Sequence, residues 1–131
     1  MTPSPGPTFT VTVGQDAGVT VVRAAGQLTD ASAPLLRTQL RQLADVPVLI
    51  VDVSDLVFWD SAGLAELVEA WRRSRNTGTR LMLAGAGPHL TQVLELTGLH
   101  TTFEIHPQVA AALRAAAQSR QQPADERFGP A

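Results

Sequence analysis

The stretch that decides the fold reads Val48-Leu49-Ile50-Val51-Asp52-Val53-Ser54-Asp55-Leu56-Val57-Phe58-Trp59-Asp60-Ser61-Ala62-Gly63-Leu64. Behind Pro47 its first six residues are almost continuously apolar, the pattern of a strand covered on both faces and hence of a central strand. Ser54 to Trp59 reads as the loop that follows. At Asp60 or Ser61 the period changes: Leu64, Leu67, Val68 and Trp71 recur at i, i+3, i+4 and i+7, one stripe of a helix. Arg72, Arg73 and Arg75 suit the negative end of its dipole, and Asn76 and Gly78 stop it.

Working outward, Phe9, Val11 and Val13 alternate with Thr10 and Thr12 as in a half-buried strand. Gln15 to Gly18 reads as a turn and Val19 to Ala24 as the hairpin partner. Past Gly26, Leu36, Leu40 and Leu43 fall on one helical stripe, with Thr29, Asp30 or Ser32 as N-cap and Pro34 in the first turn, where its missing amide costs nothing. Downstream, Arg80 to Ala84 is a short strand. Pro88 to Thr97 is a helix with Leu90, Val93 and Leu94 inward and Gly98 just past its end. Thr101 to Ile105 is a strand, and Gln108 to Ser119 an Ala-rich helix held by Val109 and Leu113. The expected class is α/β: one domain with a mixed, largely parallel β-sheet, helices packed on it, and the order β-β-α-β-α-β-α-β-α. Residues 1–8 are expected to be a flexible leading segment, 9–119 the domain, and 120–131 a polar, Pro-containing flexible tail.

Composition narrows the function classes. The chain has 131 residues, 44% apolar and 17% charged, enough for one buried core. A formal charge of -2 creates no basic field for nucleic acid or anionic lipid, although all ten basic residues are Arg. With no Cys, disulfides and thiolate chemistry are excluded, and His89, His100 and His106 lack the spacing of a zinc site, so no metal or cofactor is expected. Met1 to Thr8 lacks the basic and apolar regions of a signal peptide, and no apolar run approaches the roughly 20 residues of a membrane span. A cytoplasmic protein with no membrane insertion and no direct nucleic-acid contact is expected.

The junction Trp59-Asp60-Ser61-Ala62-Gly63-Leu64 resembles the central motif of the STAS domain of bacterial anti-sigma factor antagonists, in which aspartate, serine, a small residue, glycine and leucine open the second helix. Two further segments match in register: Gly26-Gln27-Leu28-Thr29-Asp30 before the first helix and Val93-Leu94-Glu95-Leu96-Thr97-Gly98-Leu99 closing the third. The likeness runs from about Phe9 to Ala117. Ala62 stands where the family often has a second serine, and Trp59 where an aliphatic residue is usual.

The resemblance implies a phosphorylation switch. An anti-sigma factor that is itself a serine protein kinase would phosphorylate Ser61. Only the unmodified form would bind that partner and release the sigma factor, and a protein phosphatase would reset the site. Trp59, Asp60, Ser61, Ala62, Gly63 and Asp30 would form the docking surface. The chemistry supports such a device independently. A phosphate adds about -1.5 to -2 charges, which the free amides and dipole of a helix start would partly accept and Asp60 would oppose. Across an interface, a like charge 4 Å away costs about 4 kcal/mol at an effective dielectric near 20, whereas about 1.4 kcal/mol already changes affinity tenfold.

Other readings attach to the same residues. Ser61 could simply cap the helix through the amide of Leu64, or Asp60 could be the cap instead of positioning the serine. Asp52 reads as a turn-forming carboxylate bonding nearby amides. Asp30 reads as a cap as well as a partner contact, Trp71 as core, and Trp59 as an exposed aromatic anchor or a cover for the core edge. A non-switching adaptor subunit of a transport or signalling assembly is the alternative function. A serine hydrolase would need Ser61, His89 or His106, and Asp52 assembled, and it lacks the Gly-x-Ser-x-Gly elbow. Gly85-Ala86-Gly87-Pro88 is half a phosphate cradle, without the third Gly or a Lys.

Overall fold

The computed structural model describes residues 8–43 and 45–121. Of the leading segment 1–8 and the tail 120–131 expected from the sequence, residues 1–7 and 122–131 lie outside the described residues, and the last helix runs to Gln121, two residues into the expected tail. The elements are β1 (Phe9–Asp16), β2 (Val19–Leu28), α1 (Ala33–Gln42), β3 (Val48–Trp59), α2 (Ser61–Thr77), β4 (Arg80–Ala84), α3 (Pro88–Leu96), a 3-10 turn (Leu99–Thr101), β5 (Glu104–His106) and α4 (Val109–Gln121). The sheet order is β1-β2-β3-β4-β5, with β1 antiparallel to β2 and every other neighbour parallel. This is the expected mixed sheet in the expected element order.

Why the chain folds so is visible in the burial. Leu49, Val51 and Val53 of β3 point to one face, where they meet Leu36 and Leu40 of α1, Leu67 and Ala70 of α2 and Leu90 and Leu94 of α3. Ile50 points to the other, where Met82, Ala84 and the small residues Ala112 and Ala116 let α4 pack close. A strand clothed on both faces has to be apolar at successive positions. Gly78 ends α2 in the left-handed region (φ 77°), donating its amide to the Ser74 carbonyl, as a C-terminal glycine does.

Several boundaries differ from expectation. The hairpin is longer: Asp16 and Val19 close a two-residue loop whose Ala17 and Gly18 both have positive φ (52° and 79°), the turn that matches strand twist. The largest difference is β3, which runs on through the presumed loop to Trp59. Over Asp55 to Trp59 it pairs only with β2, since its pairing with β4 ends at Asp52. Two register shifts, between Arg23 and Ala25 and between Gly26 and Gln27, each give β3 an extra residue, so it bulges twice before α2. A bulged strand loses its clean alternation, which is why Ser54 to Trp59 resembles a loop in sequence. Phe103 is buried below the 3-10 turn, and that turn displaces β5 to Glu104–His106.

Candidate functional site

Leu28 ends β2 beside Trp59 at the end of β3, and the Asp60 amide donates to the Leu28 carbonyl at 3.1 Å, pinning the start of α2 to the strand ends. Asp60 is the N-cap: its extended backbone (φ -123°, ψ -173°) lets Oδ1 accept from the Gly63 amide at 2.9 Å. The capping alternative for Ser61 is thereby corrected. Ser61 is the first helical residue, exposed, and among the described residues its hydroxyl makes no hydrogen bond. The capping falls to Asp60 because its extended backbone lets a side-chain oxygen reach forward to the amide three residues on, whereas Ser61 already has helical geometry.

Gly63 is placed differently from the expectation that it would lie open to a partner. It is buried, and a Cβ on it would stand 2.5 Å from the Leu28 carbonyl oxygen and 2.7 Å from Leu28 Cγ. Its small size serves the seat of the helix on β2. Ala62 is partly exposed and lies beside Asp30, with Ala33, Arg37 and Ala65, in a shallow groove of about 290 Å³ between α1 and α2. Asp30 is exposed. The cap role considered for it falls to Ser32, which occupies the N-cap position of α1 although its side chain caps no helix amide. Ser32 Oγ instead donates to the Gln27 carbonyl (2.7 Å) and accepts from the Thr29 amide (2.8 Å), stiffening the loop that carries Asp30.

On its other flank α2 presents Ser61, Leu64, Ala65, Val68, Glu69 and Arg72 together with Leu99, lining an open groove of about 380 Å³. Trp59 is the last residue of β3 and not part of a loop. Its ring stacks on His89 of α3 with centroids 4.9 Å apart and planes at 26°. Two residues that sequence reasoning passed over stand beside it: Val57 is 77% exposed and Phe58 52%. Their signal was the apolar, β-favouring run Leu56-Val57-Phe58-Trp59 itself. A deeper apolar pocket of about 180 Å³ lies at the far end of α2, among Leu40, Leu43, Leu49, Ala70 and Leu81, away from these groups.

The hydrolase constellation is not assembled. Asp52 is buried; its Oδ1 accepts from the Ser54 amide (3.0 Å) and hydroxyl (2.7 Å), the bond to a nearby amide expected of it but made within β3 and not in a turn, and its Oδ2 accepts from Arg23 Nε (3.1 Å). His106 Nε2 bonds Glu104 at 3.0 Å, and His89 is taken up by Trp59. Gly85 of the half cradle has φ 78° and its Cα faces Ser54, where a Cβ would sit 2.6 Å from that side chain. It is there for the close approach of β4's end to β3. Another buried carboxylate, Glu66, ties the helices together by accepting from Arg37 of α1 (2.8 Å) and Arg73 of α2 (2.9 Å).

Among the described residues no helix is long and apolar enough to cross a membrane. Residues 10–112 match the STAS domain family. The anti-sigma-B factor antagonist of Listeria monocytogenes is 31% identical over 83 residues, 62% of this chain and 73% of the relative. That of Bacillus subtilis is 31% identical over 99 residues, 72% and 88% of the two chains. The crystal structure of an anti-sigma factor antagonist from Mycobacterium paratuberculosis superposes with a TM-score of 0.76 at 28% identity, covering 86% of this chain and 97% of the other. With the family matched over residues 10–112, most of its length, this chain belongs to the STAS domain family.

Proposed function

We propose that the protein is an anti-sigma factor antagonist switched at Ser61. In its unmodified form it binds an anti-sigma factor that is also a serine kinase, and a sigma factor is released. Phosphorylation of Ser61 by that partner ends the binding, and a protein phosphatase restores it. The observation that carries this reading is the division of labour at the start of α2: Asp60 does the capping, so the Ser61 hydroxyl is exposed and unengaged. A serine needed to hold its own helix would be a poor substrate for repeated modification.

Trp59, Asp60, Ser61, Ala62 and Asp30 form the docking surface, and Gly63 contributes by seating the helix beneath them. A phosphate on Ser61 stands at the helix start beside the Asp60 carboxylate. Within the free protein the amide dipoles and that carboxylate act in opposite senses, so folding is little changed. In a complex the same charge must be desolvated, and a single facing acidic residue suffices to cut affinity by a thousandfold on the charge arithmetic above. Mass spectrometry of the protein recovered from its own cells should place phosphate on Ser61. Binding to the anti-sigma factor recovered with it should be kept in Ser61→Ala and lost in Ser61→Asp. Equal affinities for both variants and the wild type would refute the switch and leave a plain adaptor.

A further inference from the structure

The two edges of the sheet are built differently. β5 is three residues long and its side chains carry charge: Glu104 accepts from Arg80 Nε and Nη2 at 2.8 and 2.6 Å and bonds His106. Shortness and charge are the usual protections of an edge. β1 has neither. It is eight residues long, uncharged from Phe9 to Gln15, free of proline, and paired to β2 without a single register shift.

The direction of its backbone groups follows from the pairing. The Gln27 amide donates to the Thr8 carbonyl (3.0 Å), so Thr8 and Gln27 are a hydrogen-bonded pair, and in an antiparallel ladder such pairs alternate. Thr10, Thr12, Gly14 and Asp16 therefore turn their N–H and C=O groups to β2. Phe9, Val11, Val13 and Gln15 turn theirs away from it, and among the described residues no strand lies on that side. The side chains of Phe9 and Val11 pack against the core, but Val13, on the same face, is left 43% exposed.

We propose that β1 is the interface of a homodimer, two copies pairing their β1 strands antiparallel about a two-fold axis through Thr12. That register sets Val11 opposite Val13 of the second copy and Phe9 opposite its Gln15, so every outward N–H and C=O finds a partner. Thr12 meets Thr12, a favourable cross-strand pair. Asp16 falls opposite Thr8, so no like charges meet. These features favour a second copy of this chain over an unrelated strand: the segment is complementary to itself in hydrogen bonding, apolar contact and charge. Both exposed Val13 side chains become covered, and the two sheets join into one. The antiparallel junction sends the two Ser61 ends in opposite directions, leaving both open, so the antagonist is bivalent.

Sedimentation velocity of the full chain, from micromolar to millimolar concentration, should show a monomer giving way to a dimer. Val13→Pro removes an outward amide and no β1–β2 bond, and should hold the protein at monomer mass throughout while its circular dichroism stays that of the wild type. Should that variant fold poorly, amide exchange on the wild type decides. The Val11 and Val13 amides gain protection on concentration, while those of Thr10 and Thr12 are protected throughout. A chain that stays monomeric at millimolar concentration overturns the proposal. So does a dimer that survives Val13→Pro, or one that leaves the Val11 and Val13 amides fast-exchanging, since another face would then be responsible.

Discussion

Replacing Gly63 by Ala tests the account of how the Ser61 site is held. On an exposed helix this change stabilises by about 1 kcal/mol through helix propensity. Here the new methyl would sit 2.5 Å from the Leu28 carbonyl oxygen. Ordinary carbon–oxygen contact is near 3.3 Å, so the first turn of α2 would have to retreat by about 0.8 Å. The nearer obstacle is backbone, which no rotamer change can clear. That retreat would stretch the 3.1 Å hydrogen bond from the Asp60 amide to the same carbonyl beyond useful length, losing about 1 kcal/mol. The propensity gain and the lost bond offset each other, and the remaining cost is that of overpacking, about 1–3 kcal/mol. Urea denaturation followed by circular dichroism should show the midpoint falling with the slope unchanged. Adding Leu28→Ala would lift the 2.7 Å contact with Leu28 Cγ but leave the carbonyl in place, so it should not restore the wild-type midpoint. A Gly63→Ala protein as stable as the wild type, or more so, would show that the helix start is not wedged against β2.

Two further perturbations probe neighbouring claims. Asp60→Ala removes the only side-chain cap of α2 seen among the described residues and should cost about 1 kcal/mol in denaturant titration, with Asp60→Asn recovering most of it. The bond from Arg80, with a smaller contribution from His106, holds the Glu104 carboxyl below its ordinary pKa. A carboxyl depressed on folding adds stability above its unfolded pKa and loses it as pH falls through the folded value. Glu104→Gln should therefore destabilise at neutral pH and converge with the wild type in acid, by an amount reduced because the pair is partly solvated. A difference that stays constant from pH 7 down to the acid transition would contradict that assignment.

Much of the architecture is legible in the residues because its causes are local or periodic. The doubly covered part of β3, the stripe of α2, its stop at Gly78 and the small-residue face of α4 each state their surroundings through spacing. The motif Asp60-Ser61-Ala62-Gly63 marks the candidate site, and the role proposed for it comes from the resemblance. What spacing does not carry is how elements lean on one another. Whether Asp60 or Ser61 caps α2 depends on backbone angles set by the contact with Leu28. The inward role of Gly63 depends on the same contact. The Glu66 link between Arg37 and Arg73 joins residues from different helices, and the stack of Trp59 on His89 joins a strand to a helix far along the chain. Val57 and Phe58 were hidden by the bulges, which break the alternation by which strands are recognised.

Those bulges also fix how far the chain may be trimmed. Slack held in a loop can be shortened with little effect on its neighbours, but between Ser54 and Phe58 the surplus is folded into a strand whose partner does not move. Taking out one residue while both bulges persist would haul the mouth of α2 back along β2 by about 3.3 Å, the rise of one strand residue. The cap, the wedge and the hydroxyl would all lose their places together, so the length of this connection is as much a part of the site as its side chains.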